Sequence, residues 1–275
     1  MQPWLRIDSR PFERFDMKKS LYRYFAWSVP GWLPLVDHIL IEVIGNFQKT
    51  ATIQGPVLEI GCYKGKSAIL LGKFLGASEE LLLVDLFEKI STENVMDTPL
   101  YASLTQRILE RNLRLYQVDA TVLNIDSQDI MENVSTRNFR LIHIDAGHTY
   151  GPVSKDLQSA ISMIQDNGII ILDDYRNISF PGMWLAFADF LLNNNASVLF
   201  ATETKAYLVK TEYLETYKSL VEEIRESPMF RILSSTGDSY CTLEFNLIFR
   251  FVQKLYSAAG LLSIHFSNLV DRMKL

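Results

Sequence analysis

The sequence predicts a doubly wound α/β fold around a mostly parallel, seven-stranded sheet of the Rossmann-like kind. Five short apolar runs carry this expectation: PVLEIG (56–61), LLLVDLF (81–87), TVLNID (121–126), RLIHIDA (140–146) and GIIILDD (168–174). Each ends in glycine or polar residues. Nearly continuous apolarity is how strands covered on both faces read, and that is the habit of parallel sheets. Helical stretches lie between the runs, at 66–76, 101–116 and 153–167, and Gly168 reads as the stop of the last one. Strand alternating with helix gives the doubly wound architecture.

ASVLFATET and KAYLVKT, within 196–211, read as a closing hairpin that brings the strand count to seven. The expected organisation is a helical cover over 1–55, a core over 56–211 and a C-terminal helical extension over 212–275. In that tail Ile248, Phe251, Val252, Leu255, Ala259, Leu262, Phe266, Leu269 and Met273 recur at helical spacing. Such a helix needs an apolar partner, either its own domain or a second subunit in a homo-oligomer. RPFERFDMKKSLYRYFAW (10–27) mixes basic and aromatic residues, which would suit RNA or an anionic membrane surface; the expectation is instead a solvated helix laid over the cofactor site or gating it.

Composition narrows the function classes. Of 275 residues, 48% are hydrophobic and 21% charged, enough for a full-sized core. A net charge of −5 argues against a nucleic-acid footprint. No apolar run reaches the roughly 18–20 residues needed to cross a bilayer. Two cysteines, Cys62 and Cys241, are too few for a disulfide framework and fit a reducing, cytoplasmic setting.

In doubly wound sheets, ligands bind beyond the carboxyl ends of the strands, so polar residues there are the candidates for chemistry. The first such place is EIGCYKGKS (59–67). It is one residue short of a nucleoside-triphosphate phosphate loop, whose full spacing lets successive N–H groups curl around phosphate. It also lacks the middle glycine of a dinucleotide fingerprint. What remains is acid-x-Gly-x-x-x-Gly, suited to a ligand with a cationic amino-acid end. Glu59 would sit beneath the positive charge, Gly61 would admit a close backbone approach, and helix N-terminal amides near Ser67 would take a carboxylate. S-adenosylmethionine carries all these groups. Asp85, ending the second run, is placed to accept the ribose hydroxyls.

LEIGCYKGKSAILL resembles the first motif of class I S-adenosylmethionine-dependent methyltransferases. It is most similar to the metal-dependent O-methyltransferases of the catechol and macrocin-like, sugar-modifying types. The resemblance continues through LLLVDLF, NIDSQDI, IHIDAGHTY and IIILDDY, covering about residues 56–211. It implies a cofactor site of Glu59, Gly61, Tyr63, Gly65, Ser67 and Asp85, with Asp126, Ser127 and Gln128 at the adenine. Asp126-Ser127 also reads as an ordinary helix N-cap. Lys66 is expected in solvent, Cys62 as a small loop residue, and His143 as a satisfied core histidine.

The chemistry is expected in IDAGH and LDDY. Asp145, Asp173 and Asp174 end adjacent strands, where three carboxylates would repel one another unless a cation joined them. Hard oxygen ligands suit Mg2+, and in the resembling enzymes equivalent acids hold a divalent metal that lowers a substrate hydroxyl's pKa. One acid capping a helix or pairing with Arg176 would leave no metal there. His148 stands at the offset from Asp145 where those enzymes carry the base, and imidazole suits proton acceptance near neutrality. DDYRNISFPGMW (173–184) favours the sugar-modifying branch. The expected function is therefore Mg2+-assisted O-methylation of a hydroxyl on a sugar, glycan or small natural product. The alternatives are methylation without metal, a non-catalytic binding or assembly protein of the same fold, and a nicotinamide oxidoreductase.

Overall fold

The computed structural model describes residues 29–87, 104–135, 138–235 and 241–245. Both the basic-aromatic stretch at 10–27 and the amphipathic tail at 246–273 lie outside the described residues. The elements are α1 (Leu35–Thr50), β1 (Val57–Ile60), α2 (Lys66–Gly72), β2 (Leu81–Asp85), α3 (Gln106–Leu115), β3 (Thr121–Asn124), α4 (Ile130–Asn133), β4 (Phe139–Ile144), α5 (Tyr150–Met163), β5 (Ile164–Leu172), α6 (Pro181–Asn193), β6 (Ala196–Ala201), β7 (Ala206–Lys210), α7 (Lys218–Glu226), β8 (Phe230–Ser235) and β9 (Cys241–Phe245).

The sheet runs β3-β2-β1-β4-β5-β7-β6-β9-β8. Strands β1 to β5 pair in parallel, and β7 joins antiparallel to both β5 and β6. The seven expected strands are present in a doubly wound order. The sheet is larger than expected, because β9 adds in parallel to β6 and β8 closes the edge. Among the described residues of the extension expected to be helical, α7 and a preceding 3-10 stretch (Thr211–Tyr217) are helix. FRILSS and CTLEF instead form strands whose central residue Leu243 is fully buried.

Alternation along the buried strands divides the core. Leu58, Ile60, Ile142 and Ile144 face α5 and α6, whereas Val57, Leu141 and Ile171 face α1 to α3. Glu59 and His143 are register partners on the α1 side, two polar residues inside an apolar layer. Gly168 is not a helix stop. α5 passes directly into β5 at Ile164, and Gly168 lies within the strand beside a register shift. A Cβ there would lie 2.9 Å from the Phe139 carbonyl oxygen, so the glycine serves close strand approach.

At the edge of the sheet away from the strands' carboxyl ends, Arg140 fastens α1 to the sheet. Its guanidinium reaches Glu79 (2.7 Å), Gln48 (2.6 Å) and the Phe74 carbonyl (3.0 Å); Arg140 and Gln48 are buried, Glu79 and Phe74 partly so. Arg140→Ala leaves Glu79 the Gly55 and Gly76 N–H groups but removes its charge partner and leaves the buried Gln48 oxygen without its donor. It is expected to destabilise the fold by about 1–3 kcal/mol, the scale for lost hydrogen bonds to a charged group. Urea denaturation measures this. A loss within the range of a surface substitution would show the pair to be dispensable.

Candidate active site

The strand order reverses between β1 and β4, and a cavity of about 630 Å3 opens over the carboxyl ends at that point. Its wall includes Gly61, Tyr63, Ser67, Asp85, Asp126, Ser127, Gln128, Asp145, His148, Asp173 and Asp174. Eleven of the thirteen expected site residues thus converge on one space. Glu59 and Gly65 do not line it.

The loop after β1 is shaped by backbone constraints. Gly61 has φ +82°, and any side chain there would collide with the backbone carbonyl of Asp145. The close approach that demands glycine is to the end of β4. Gly65, at φ +91°, caps α2, and a Cβ would meet Leu109 at 2.6 Å, so this glycine answers to packing against α3. Asp85 ties the loop to β2: Oδ2 accepts the N–H groups of Cys62 (2.9 Å) and Tyr63 (2.7 Å), and Oδ1 accepts that of Leu86 (2.7 Å). Burial raises its pKa, and the three N–H bonds oppose that shift without cancelling it. Lys66 is not in solvent. It is buried, donates to the Gly31 carbonyl (3.0 Å), and burial lowers its pKa to about 8. That bond brings the segment before α1 to the cavity, where Trp32 stands with its ring centroid 5.8 Å from that of Tyr63.

On the opposite wall, Asp126 caps the 3-10 turn Ser127–Asp129 by accepting the Gln128 N–H (3.0 Å). Gln128 turns toward α5, donating to Asp156 Oδ1 (3.2 Å) and the Pro152 carbonyl (3.3 Å). The helix-cap reading of Asp126 is thereby realised, while all three residues still face the cavity.

Each strand-end acid is engaged by a neighbouring protein group. Asp173 is ion-paired with Lys205, a fully buried lysine just before β7, and its Oδ1 accepts the Asp174 N–H (2.9 Å). Asp145 hydrogen-bonds to Asp173. Burial, and then the Asp173 charge, push the Asp145 pKa well up. Burial alone would also raise Asp173, but the Lys205 ammonium, with the Asp174 N–H bond, outweighs it and holds that carboxyl low. Asp174 sits at φ +52° and turns away: Oδ1 accepts from Asn177 (3.2 Å), and Oδ2 lies 3.4 Å from His148 Nε2. The His148 ring packs on Phe180, centroids 4.3 Å apart, so a carboxylate and an aromatic face fix its orientation. Phe180 opens the Phe-Pro-Gly string, Pro181 starts α6, and a Cβ on Gly182 would come 2.6 Å from the Tyr150 N. The string's local task is to hold Phe180 against His148.

Residues 58–175 match the family model of a methyltransferase domain. This stretch of the chain is a methyltransferase domain. By structure the methyltransferase is similar to the O-methyltransferase NovP, at 16% identity and a TM-score of 0.53 over 63% of this chain and 78% of that one. It is also similar to cofactor-bound Rv0187 from MTB, at 16% identity and a TM-score of 0.51 over 70% and 88% of the two chains. These likenesses bear on the fold. No curated protein matches the methyltransferase by sequence. Among the described residues no helix is long and apolar enough to cross a membrane.

The cavity fits S-adenosylmethionine in its wall chemistry. Leu86, Phe87, Leu104, Ile125 and Pro152 give an apolar slot for a flat base, with Asp85 at its edge. Divalent metal fits poorly: both Asp173 oxygens, and both of Asp174, are directed at protein groups. Among the described residues, no three carboxylate, imidazole or thiol groups are arranged to share an ion.

Four residues of the methyltransferase site escaped the sequence reading: Lys205, Asp37, Phe180 and Asp156. Asp156, in α5, is buried, and burial raises its pKa to about 7. The folded state therefore keeps this proton to higher pH than the unfolded chain, so stability falls as pH rises from about 4 to 7. Asp156→Asn keeps an acceptor for Gln128 and has no proton to lose. It is expected to exceed the wild type in stability above pH 7, by a few kcal/mol at most, and to match it near pH 4. Urea denaturation at the two pH values tests this. The same difference at both would remove Asp156 from the pH dependence.

Proposed function

We propose that this methyltransferase transfers methyl to a hydroxyl oxygen of a sugar, glycan or small natural product. The observation that carries the proposal is His148, poised at the cavity with Asp174 at one nitrogen and Phe180 under its ring. S-adenosylmethionine, when bound, supplies an activated methyl group. Everything else falls to the protein. Asp85 retains acceptor capacity for ribose hydroxyls beside its three N–H bonds. Gly61, Tyr63 and Ser67, which line the cavity, would hold the amino-acid end, and Asp126, Ser127 and Gln128 would hold the base.

His148 takes the acceptor's proton as the oxygen–methyl bond forms, and Asp174 stabilises the imidazolium so produced. Trp32, half exposed, and Tyr63 offer aromatic faces for a sugar or an aromatic acceptor where the cavity opens. Mg2+ assistance is left out of this reading, because Lys205 and His148 already engage the acids expected to bind it. A cytoplasmic setting rests on cysteine usage, Cys62 being a buried free thiol.

The test is transfer of labelled methyl from S-adenosylmethionine to a panel of hydroxylated acceptors. His148→Ala is expected to lower kcat by about 10²–10⁴-fold, the usual worth of a positioned general base, with cofactor affinity nearly unchanged. A wild-type rate in His148→Ala would reduce that residue to a packing role. Label transferred only to amines would overturn the hydroxyl assignment.

A further inference from the structure

We infer that Lys205 is a built-in counter-cation for the strand-end carboxylates, so that the enzyme works without a divalent metal. The inference rests on the functional reading above and names the charge that makes this site electrostatically complete.

The β6–β7 turn, residues 202–205, delivers Lys205 into the sheet. Thr202 organises it: its Oγ1 accepts the Lys205 N–H (2.9 Å) and donates to Asp37 Oδ1 (2.8 Å). Thr204 Oγ1 and Tyr207 OH donate to the same Asp37 carboxylate, at 2.9 and 2.8 Å. Asp37 belongs to the first turn of α1 and is fully buried. A helix thus clamps the turn that carries the lysine, and the ammonium is aimed at β4 and β5.

There it meets Asp173 Oδ2 and, at 3.0 Å, His143 Nε2. An ammonium has protons to give and no lone pair to offer, so Nε2 must be the acceptor. The imidazole proton then sits on Nδ1 and goes to Glu59 Oε1, 2.8 Å away. Glu59, His143, Lys205, Asp173 and Asp145 form one continuous buried chain from β1 to the cavity wall. A divalent ion among Asp145, Asp173 and Asp174 would have to displace Lys205 from Asp173, draw Asp174 off His148 and Asn177, and tolerate the ammonium at close range. Mg2+ is satisfied only by several oxygen ligands in octahedral array. The two roles compete for the same oxygens, and Lys205 is covalently present.

Mn2+ serves as the probe, titrated into the full chain saturated with S-adenosylhomocysteine and followed by electron paramagnetic resonance. The wild type is expected to show no stoichiometric site. Lys205→Met, which keeps volume and removes charge, is expected to gain a Mn2+ site at least about tenfold tighter than any in the wild type. Asp173→Asn added to it should abolish that site. Stoichiometric Mn2+ binding by the wild type, lost in Asp173→Asn alone, would overturn the inference. So would a Lys205→Met protein that holds S-adenosylhomocysteine yet binds no Mn2+. If Lys205→Met does not fold, comparing the wild type with Asp173→Asn still decides the matter. Failure of the wild type to bind S-adenosylhomocysteine would strike the functional reading itself, whereas binding together with a Mn2+ site strikes this inference alone.

Discussion

A lysine ammonium sunk in a protein interior must find negative charge there or give up its proton, since desolvating an isolated ion costs several kcal/mol even after relaxation. Burial alone would lower the Lys205 pKa; Asp173, Asp145 and Asp37 together outweigh it and raise it. The surplus of carboxylate is trimmed in the same cluster. Burial, and then the Asp173 charge, push Asp145 up, and burial raises Asp37 as well, against the pull of Lys205 and the hydroxyls of Thr202 and Tyr207. Since α1, β1, β4, β5 and the β6–β7 turn each contribute a member, the cluster fixes where these elements meet.

The cavity inherits its shape from that junction. Asp145 faces it from the end of β4, and its carbonyl leaves room at the end of β1 only for Gly61. Asp85 draws the loop's amides back toward β2, and Lys66 draws the segment before α1 over the opening. Asp174, freed from Asp173 by its left-handed backbone, is available to His148. Two neighbouring aspartates of identical chemistry thus have opposite tasks: one neutralises a buried lysine, the other orients an imidazole at the wall.

Much of this was legible in the sequence because burial on both faces imposes a simple pattern. β1, β2, β4 and β5 lie in the apolar runs, and the polar residues that end them reach the cavity. Legibility failed where a residue's role depends on what folds back onto it. Gly168 follows a helical stretch and reads as a stop, but the parallel approach of β4 makes it a strand glycine. FRILSS and CTLEF are short and are followed by a sequence whose apolar residues recur at helical spacing, so nothing local marks them as strands. Lys205 follows Thr-Glu-Thr in a hairpin turn, the usual place for a solvated lysine, and buried lysines are rare enough that periodicity alone never suggests one. Three acids at adjacent strand ends do signal a cation; local sequence does not say whether that cation is metal or a side chain more than thirty residues away. His143 is a satisfied core histidine, as its apolar flanks suggest, though its partners Glu59 and Lys205 come from distant strands.

The most direct measurement is hydrogen exchange at the lysine ammonium groups, by nitrogen-15 NMR of protein carrying labelled lysine at neutral pH. A charged, buried Lys205 held between Asp173 and His143 predicts an ammonium whose protons exchange slowly enough to be seen, with its signal absent from Lys205→Met. If no lysine signal disappears in that variant, and every ammonium exchanges as fast as free lysine, no cation stands beneath these carboxylates.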